Sequence, residues 1–150
     1  MLGRLAKCLK ILGFYVLYFS KAEHSELVAL ARREERVLLT RDTGLIERTA
    51  KRPNRLFVRS DEWQDQVVQV LDELALWDEV RPNSRCLECN RTLKPLGRER
   101  ARNLVTPYVL EHAASFAMCP DCGRVFWQGT HYGDMERKVE KLLARRGGPA

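Results

Sequence analysis

Hydrophobic and polar residues in the first part of the chain alternate between helical and strand spacing. Leucines recur every three or four positions over residues 2–12, with basic side chains between them, which predicts an amphipathic helix. The aromatic and branched run at 14–19 predicts a strand. Helical spacing returns over 26–35, where Ser25 is a candidate N-cap, and the apolar run at 37–40 predicts a strand buried on both faces.

The next segments repeat this alternation. A short helix is expected at 44–50 and a strand at 55–58, and Ser60 is expected to cap a longer helix that continues to residue 74. Because strands and helices alternate throughout, the pattern predicts a parallel α/β sheet with right-handed crossovers.

A change in composition divides the chain. Pro and Asn interrupt the pattern at 77–85, so we expect an α/β domain over 1–80 and a second domain over 81–150. Residues 1–80 hold 13 basic and 13 acidic side chains, so the formal net charge of +6 lies entirely in the second domain. Apolar spacing near the end predicts a terminal helix that stops at Gly147. The positive charge permits a polyanionic partner.

Four of the five cysteines form two Cys-x-x-Cys pairs, Cys86 with Cys89 and Cys119 with Cys122. This spacing favours a tetrahedral thiolate zinc site over disulfides. Four protein thiolates leave no open coordination position, so the zinc would stabilise structure rather than act on a substrate.

The residue after each cysteine pair supports two zinc knuckles and hence a zinc ribbon. Asn90 and Gly123 occupy this position, where a knuckle commonly needs a positive φ that Gly adopts freely and Asn tolerates. Thiolate metal chemistry indicates a reducing compartment, so we expect a cytoplasmic protein. The apolar run at 11–19 is too short to span a bilayer, and no membrane partner is expected.

Basic and aromatic side chains are interleaved between and beyond the two cysteine pairs. This combination is typical of proteins that bind single-stranded nucleic acid by phosphate pairing and base stacking. Alternatively, the aromatic residues Phe126 and Trp127 form the small core of the ribbon. The candidate RNA-binding residues are Lys94, Arg98, Arg100, Arg102, Arg124 and Trp127.

The predicted strand at 37–40 runs directly into Arg41 and Asp42. In parallel α/β sheets, ligands bind at the carboxyl ends of the strands, and a carboxylate at such an end is suited to a Mg²⁺ or Mn²⁺ ion. Alternatively, Asp42 caps the following short helix or pairs with Arg41.

Five segments of the chain carry a family resemblance when taken in order: MLGRLAKCLKILGFYVLYF, LARREERVLLTRDTGL, LFVRSDEW, SRCLECNRTLKPL and CPDCGRVFWQGTHY. Together they resemble the Mut-seven C-terminal RNase family, in which a PIN-like nuclease domain is fused to a zinc ribbon. The resemblance implies a three-layer PIN-like α/β fold, divalent-metal-dependent cleavage of RNA, and zinc held by the four paired cysteines. In that pattern Asp42 matches the acidic residue that closes the LLTRD strand.

The chain also departs from the family pattern. That pattern begins with a further strand whose terminal acid precedes the LGRLAK helix, whereas this chain starts at Met1, inside that junction. A second acid usually precedes the next helix, and here His24 occupies the position with Glu23 and Glu26 beside it. Two explanations stay open: either the natural protein has an additional strand upstream, or the chain is a degraded nuclease that kept RNA binding.

The leading hypothesis is therefore a metal-dependent ribonuclease with RNA as its partner. An acidic or imidazole neighbour would help Asp42 to hold Mg²⁺ or Mn²⁺, and an arginine would orient the phosphate. The alternative is a non-catalytic RNA-binding or ribosome-associated zinc-ribbon module, and a protein–protein adaptor is a third possibility. The candidate catalytic residues are Asp42, Glu23, His24, Glu26 and Arg41, with Lys7 as an alternative to Arg41.

Overall fold

The computed structural model describes residues 2–52, 54–128 and 134–146. These residues group into two compact units: the first comprises Met1–Ala6 and Leu17–Glu79, and the second comprises Lys7–Val16 and Val80–Ala150. The second unit thus includes a segment that the sequence pattern placed in the first domain. The division into domains at residue 80 stays a prediction.

The elements in the first half of the chain are α1 (Gly3–Ile11), α2 (His24–Arg33), β1 (Leu38–Thr40), α3 (Thr43–Arg48), β2 (Arg55–Phe57), α4 (Trp63–Glu73) and a 3-10 turn (Trp77–Glu79). From α2 to α4, helices and strands alternate, as the apolar spacing predicts.

Strands β1 and β2 of the first unit pair in parallel, with Leu39 opposite Leu56. Between β1 and α2 the buried side chains of Ala31, Leu38 and Leu45 form a small apolar core. The parallel pairing confirms the α/β class. The three-layer PIN-like arrangement stays a prediction, because the described residues of this unit show two paired strands.

Two predicted helix caps in the first unit are wrong. Helix α2 begins at His24 rather than after Ser25, because Glu23 and Glu26 form a reciprocal capping box at its start. Helix α4 begins at Trp63 with Glu62 in the cap position. Ser60 instead closes the turn before the helix, where its hydroxyl accepts the Glu62 N–H at 3.0 Å.

The second unit is built around an antiparallel sheet. Its elements are β3 (Lys94–Leu96), α5 (Arg98–Ala101), α6 (Pro107–His112), β4 (Ser115–Met118), β5 (Val125–Gln128) and α7 (Asp134–Arg146), and the strand order is β3-β4-β5.

A separate apolar core supports this sheet. Leu96, Ala101, Ala113 and Phe116 are buried together, and Trp127 packs against them from β5. The predicted terminal helix is present as α7, and within it Val139 and Leu142 are buried. The end of that helix at Gly147 lies outside the described residues. Within the described ranges, every helix is too short or too polar to span a membrane.

The strand predicted at 14–19 is absent, so this prediction is wrong. The backbone groups that a neighbouring strand would bind are instead bound by one side chain: Asn90 donates to Phe14 O at 3.0 Å and accepts the Val16 N–H. The turn at Gly13 is bound in the same way, since the Arg85 guanidinium donates to Gly13 O at 2.9 Å. Both residues belong to the second unit. Residues 14–16 are therefore held by side-chain hydrogen bonds without being part of a sheet.

Candidate functional site

The four paired cysteines converge in the second unit. Their ligand atoms all lie within 4.8 Å of one another, and no disulfide joins them. Cys86 and Cys119 are buried, whereas Cys89 and Cys122 are exposed. Four sulfur ligands at this spacing fit a tetrahedral thiolate site, so the cluster can hold a metal such as zinc.

The two knuckles have the same backbone geometry. Asn90 N–H donates to Cys86 O at 2.8 Å, and Gly123 N–H donates to Cys119 O at 3.0 Å. The φ angles are +57° at Asn90 and +74° at Gly123. The positive φ predicted at both positions is therefore confirmed.

In the cluster without a cation, the pKa values of three of the cysteines shift in different directions. The backbone N–H groups of Cys122 and Asp121 lower the pKa of Cys119 to about 7. A hydrogen bond with the Cys122 thiol raises the pKa of Cys89 to about 12, and burial raises the pKa of Cys86. A divalent cation would remove this conflict, because it stabilises several thiolates at once.

Asn90 has a second function that the sequence pattern did not reveal. Its side chain is buried, with 6% of its surface exposed, and it bonds Phe14 and Val16 as described above. The first knuckle therefore anchors residues 13–16, and no short-range signal indicates this because 74 residues separate Asn90 from Val16.

Replacing Asn90 by Gly should preserve the knuckle but release this segment. Gly accepts the positive φ, while both side-chain hydrogen bonds are lost and Phe14 O and Val16 N–H lose buried partners. We expect Asn90→Gly to lower the free energy of unfolding by about 2–3 kcal/mol in urea titrations at saturating zinc. The matched control is Gly123→Asn, where no atom lies within 4 Å of an added Cβ. Equal effects of the two substitutions would contradict the anchoring function.

The basic candidates for RNA binding differ in their surroundings. Arg98 donates to the carbonyls of Leu110 and Ala113 and lies 5.3 Å from the ring centre of Phe116. This arrangement satisfies carbonyls at the end of α6 and gives Arg98 a structural function. Exposed cationic side chains remain at Lys94, Arg100 and Arg102.

Two further candidates also have partners within the ribbon. Arg124 lies 3.8 Å from Glu88 of the other knuckle, in an exposed ion pair. Trp127 is half-buried, and its strand neighbour is Phe116 in the apolar core. The structure thus places Trp127 where the alternative interpretation, a small ribbon core, expects it.

Asp42 lies at the carboxyl end of β1, as the sequence predicts. Its Oδ1 accepts the Leu45 N–H at 2.9 Å and caps α3, while its own N–H donates to Thr40 Oγ1 at 3.0 Å. The Leu45 N–H is the main cause that lowers the pKa of Asp42, and His24 and Arg48 add to the effect. The carboxylate is therefore fixed in orientation and negatively charged.

Of the predicted neighbours of Asp42, the structure brings one into contact. His24 Nδ1 lies 3.6 Å from Asp42 Oδ2. Glu23 and Glu26 instead serve the capping box of α2. Arg41 donates to Ser60 O and lies 2.5 Å from an oxygen of Asp61, so its guanidinium joins the ends of β1 and β2.

Sequence reasoning missed Arg48. Its Nη2 lies 3.4 Å from His24 Nδ1, which places a cation beside the Asp42–His24 pair. The available signal was helical spacing, because Arg48 lies four residues after Gly44 and its side chain extends back along the same face of α3.

In the part of the chain that the structure describes, few side chains near Asp42 could act as ligands of a divalent cation. Among the described residues, the four cysteines form a group of three or more metal-ligating side chains, whereas the surroundings of Asp42 do not. Mg²⁺ is commonly bound by one or two carboxylates, with waters and substrate phosphates completing its shell. Asp42 Oδ2 with His24 Nδ1 therefore fits a cation that an RNA phosphate also coordinates.

The fold and the sites define an α/β protein with a four-cysteine metal-binding cluster. A family model described as the Mut7-C RNAse domain matches residues 1–139. The chain therefore belongs to this ribonuclease-type family, which confirms the family resemblance of its segments. No curated protein and no solved structure matches the chain.

Proposed function

We propose that the chain cleaves phosphodiester bonds in RNA at the carboxyl end of β1, with a divalent cation as cofactor. The observation that carries the proposal is the convergence of Asp42, His24 and Arg48 at the end of a parallel strand, in a chain of a ribonuclease-type family. Ligands of parallel α/β sheets bind at this edge.

Asp42 and His24 would hold the cation, which supplies Lewis-acid stabilisation of charge on the phosphate oxygens. The N–H of Leu45 fixes Asp42 Oδ1 in the cap of α3, so Oδ2 is the oxygen available to a ligand. Because hydrogen bonding lowers the pKa of Asp42, this carboxyl stays ionised at pH values where an ordinary Asp begins to protonate.

In the second unit, we propose structural zinc at the four cysteines and an RNA-contacting surface on the exposed cations. Zinc fits because the four sulfurs lie within 4.8 Å of one another. Exposed cations contribute to RNA affinity by phosphate pairing. The cations in question are Lys94, Arg100 and Arg102.

Asp42→Asn tests the proposal. Asn is as good an N-cap as Asp, so α3 should keep its hydrogen bond to Leu45 and the midpoint of thermal unfolding should change little. The anionic ligand is lost, so cleavage of labelled single-stranded RNA with Mn²⁺ or Mg²⁺ should disappear while RNA binding persists. The control is Asp65→Asn, which removes a carboxylate from α4 of the same unit.

Two results would contradict the proposal. Full cleavage by purified Asp42→Asn would exclude Asp42 as the central carboxylate. A wild-type chain that binds RNA with salt-dependent affinity but never cleaves it, with either cation, would be a binding module and not a nuclease.

A further inference from the structure

We infer that Arg48 binds the RNA phosphate next to Asp42, as a phosphate-binding residue that the sequence pattern did not single out. The inference rests on the proposed function, since it names the group that holds the substrate at the same site. It assigns to Arg48 the task that the sequence pattern gave to Arg41.

Four neighbouring arginines of the first unit already have partners. Each donates to a backbone carbonyl or pairs with a carboxylate of its own unit. The partners are Ser60 O and Asp61 for Arg41, Val28 O for Arg52, Ile46 O for Arg55 and Glu73 for Arg59. Each of these guanidinium groups therefore has a partner within the fold.

Arg48 differs from these arginines in both position and partner. It is exposed, and its described hydrogen-bonding neighbour is the imidazole of His24 at 3.4 Å. Its positive charge acts on Asp42, whose pKa it helps to lower. A guanidinium that faces a carboxylate without pairing to it closely keeps donors available for a ligand.

The backbone leaves space between these two groups. A Cβ added at Gly44 would lie 3.2 Å from Asp42 Oδ1 and 3.6 Å from Arg48 Nη1. A side chain at this position would therefore press on the carboxylate oxygen that caps α3 and would come into ordinary van der Waals contact with the guanidinium.

The chemistry of this arrangement selects a phosphodiester. A phosphate that coordinates the divalent cation at Asp42 still approaches a carboxylate, and a guanidinium beside that carboxylate would offset part of the repulsion. Arg presents several N–H donors in a planar fork that matches phosphate oxygens. His24 stands between the two charges as a further polar contact, 3.6 Å from Asp42 and 3.4 Å from Arg48.

The test compares Arg48→Ala and Arg48→Lys with Arg52→Ala, a control that removes the same charge from a carbonyl-bound arginine of the same unit. Affinity for a labelled single-stranded RNA is measured at saturating zinc without added Mn²⁺ or Mg²⁺, over a range of salt concentrations, and kcat/KM is measured with Mn²⁺. Thermal unfolding of each variant is recorded alongside.

For Arg48→Ala we expect an unchanged unfolding midpoint, a loss of about 10- to 100-fold in kcat/KM, and a salt slope of log K that is shallower by about 0.7. Arg48→Lys should restore the slope, because the charge remains, but only part of kcat/KM. Arg52→Ala should lower the unfolding midpoint and leave the slope unchanged.

The inference is overturned if wild type cleaves RNA while Arg48→Ala keeps both the wild-type slope and the wild-type kcat/KM. A change of slope in Arg52→Ala equal to that in Arg48→Ala would also overturn it, because the effect would then reflect net charge alone. If wild type itself neither binds nor cleaves RNA, the proposed function fails first and the inference fails with it.

Discussion

Removal of the proposed zinc with a chelator is expected to unfold the second unit. The four sulfurs lie within 4.8 Å of one another, and zinc binding by sites of this kind is worth about 10–16 kcal/mol. The apolar core of this unit, built on Leu96, Ala101, Ala113 and Phe116, is small beside that contribution. Hydrogen exchange followed by mass spectrometry should show loss of protection across β4 and β5 after chelation.

Cysteine variants provide the matched controls for this result. Cys119→Ser should reduce bound zinc from one ion per chain to a level too low to detect by elemental analysis, with the same loss of protection. Cys8→Ser should leave the zinc content unchanged, because Cys8 lies outside the four-cysteine cluster. A chelated protein whose β4 and β5 stay protected would show that the core alone maintains the ribbon.

The pH dependence of zinc binding follows from the same geometry. Zinc binds thiolates, whereas hydrogen bonding between the thiols raises the pKa of Cys89 to about 12 in the metal-free cluster. Zinc binding at neutral pH should therefore release protons, and the zinc-bound form should be favoured as the pH rises and lost as it falls. Isothermal titration in buffers of different ionisation enthalpy would count the released protons.

The parts of the fold that depend on short-range information were predictable from the sequence. The apolar runs at 37–40 and 55–58 predicted β1 and β2, and the alternation of strands with helices predicted their parallel pairing. The knuckles are equally local, since Cys spacing and the residue after each pair determine them. The positive φ at Asn90 and Gly123 bears this out.

The parts that depend on distant residues were not predictable. An aromatic run has the composition of a strand, but whether residues 14–19 join a sheet depends on what binds their backbone. Here the amide of Asn90 binds it, and nothing near residues 14–19 in the sequence indicates that partner. Such a contact is set by the tertiary fold rather than by local composition.

The candidate site shows the same limit. The position of Asp42 at a strand end followed from the sequence, and the structure adds that one of its oxygens caps α3. The partners of the arginines could not be predicted from the sequence, because the sequence does not indicate whether a guanidinium binds a backbone carbonyl or a ligand. The two arginines are distinguished by their contacts in the structure. Arg41 binds Ser60 O and Asp61, whereas Arg48 neighbours His24.

Gly13→Ala is expected to cause one of the largest losses of stability available from a single substitution in this chain. Gly13 has a φ of +97°, and an added Cβ would lie 2.4 Å from the carbonyl oxygen of Arg81 and 2.7 Å from Ser84 Oγ. That backbone cannot move aside without cost, because Arg81 N–H donates to Leu12 O at 2.8 Å. We expect a loss of about 3–5 kcal/mol, measured by urea unfolding of the full chain at saturating zinc.

Gly123→Ala separates backbone strain from the clash. Its φ is also positive, at +74°, but no atom lies within 4 Å of an added Cβ. Left-handed backbone alone costs an alanine about 1–2 kcal/mol, so Gly123→Ala should lose that amount and Gly13→Ala distinctly more. If the two variants lose the same free energy, the close approach of Arg81 to Gly13 is not a determinant of the stability of the second unit.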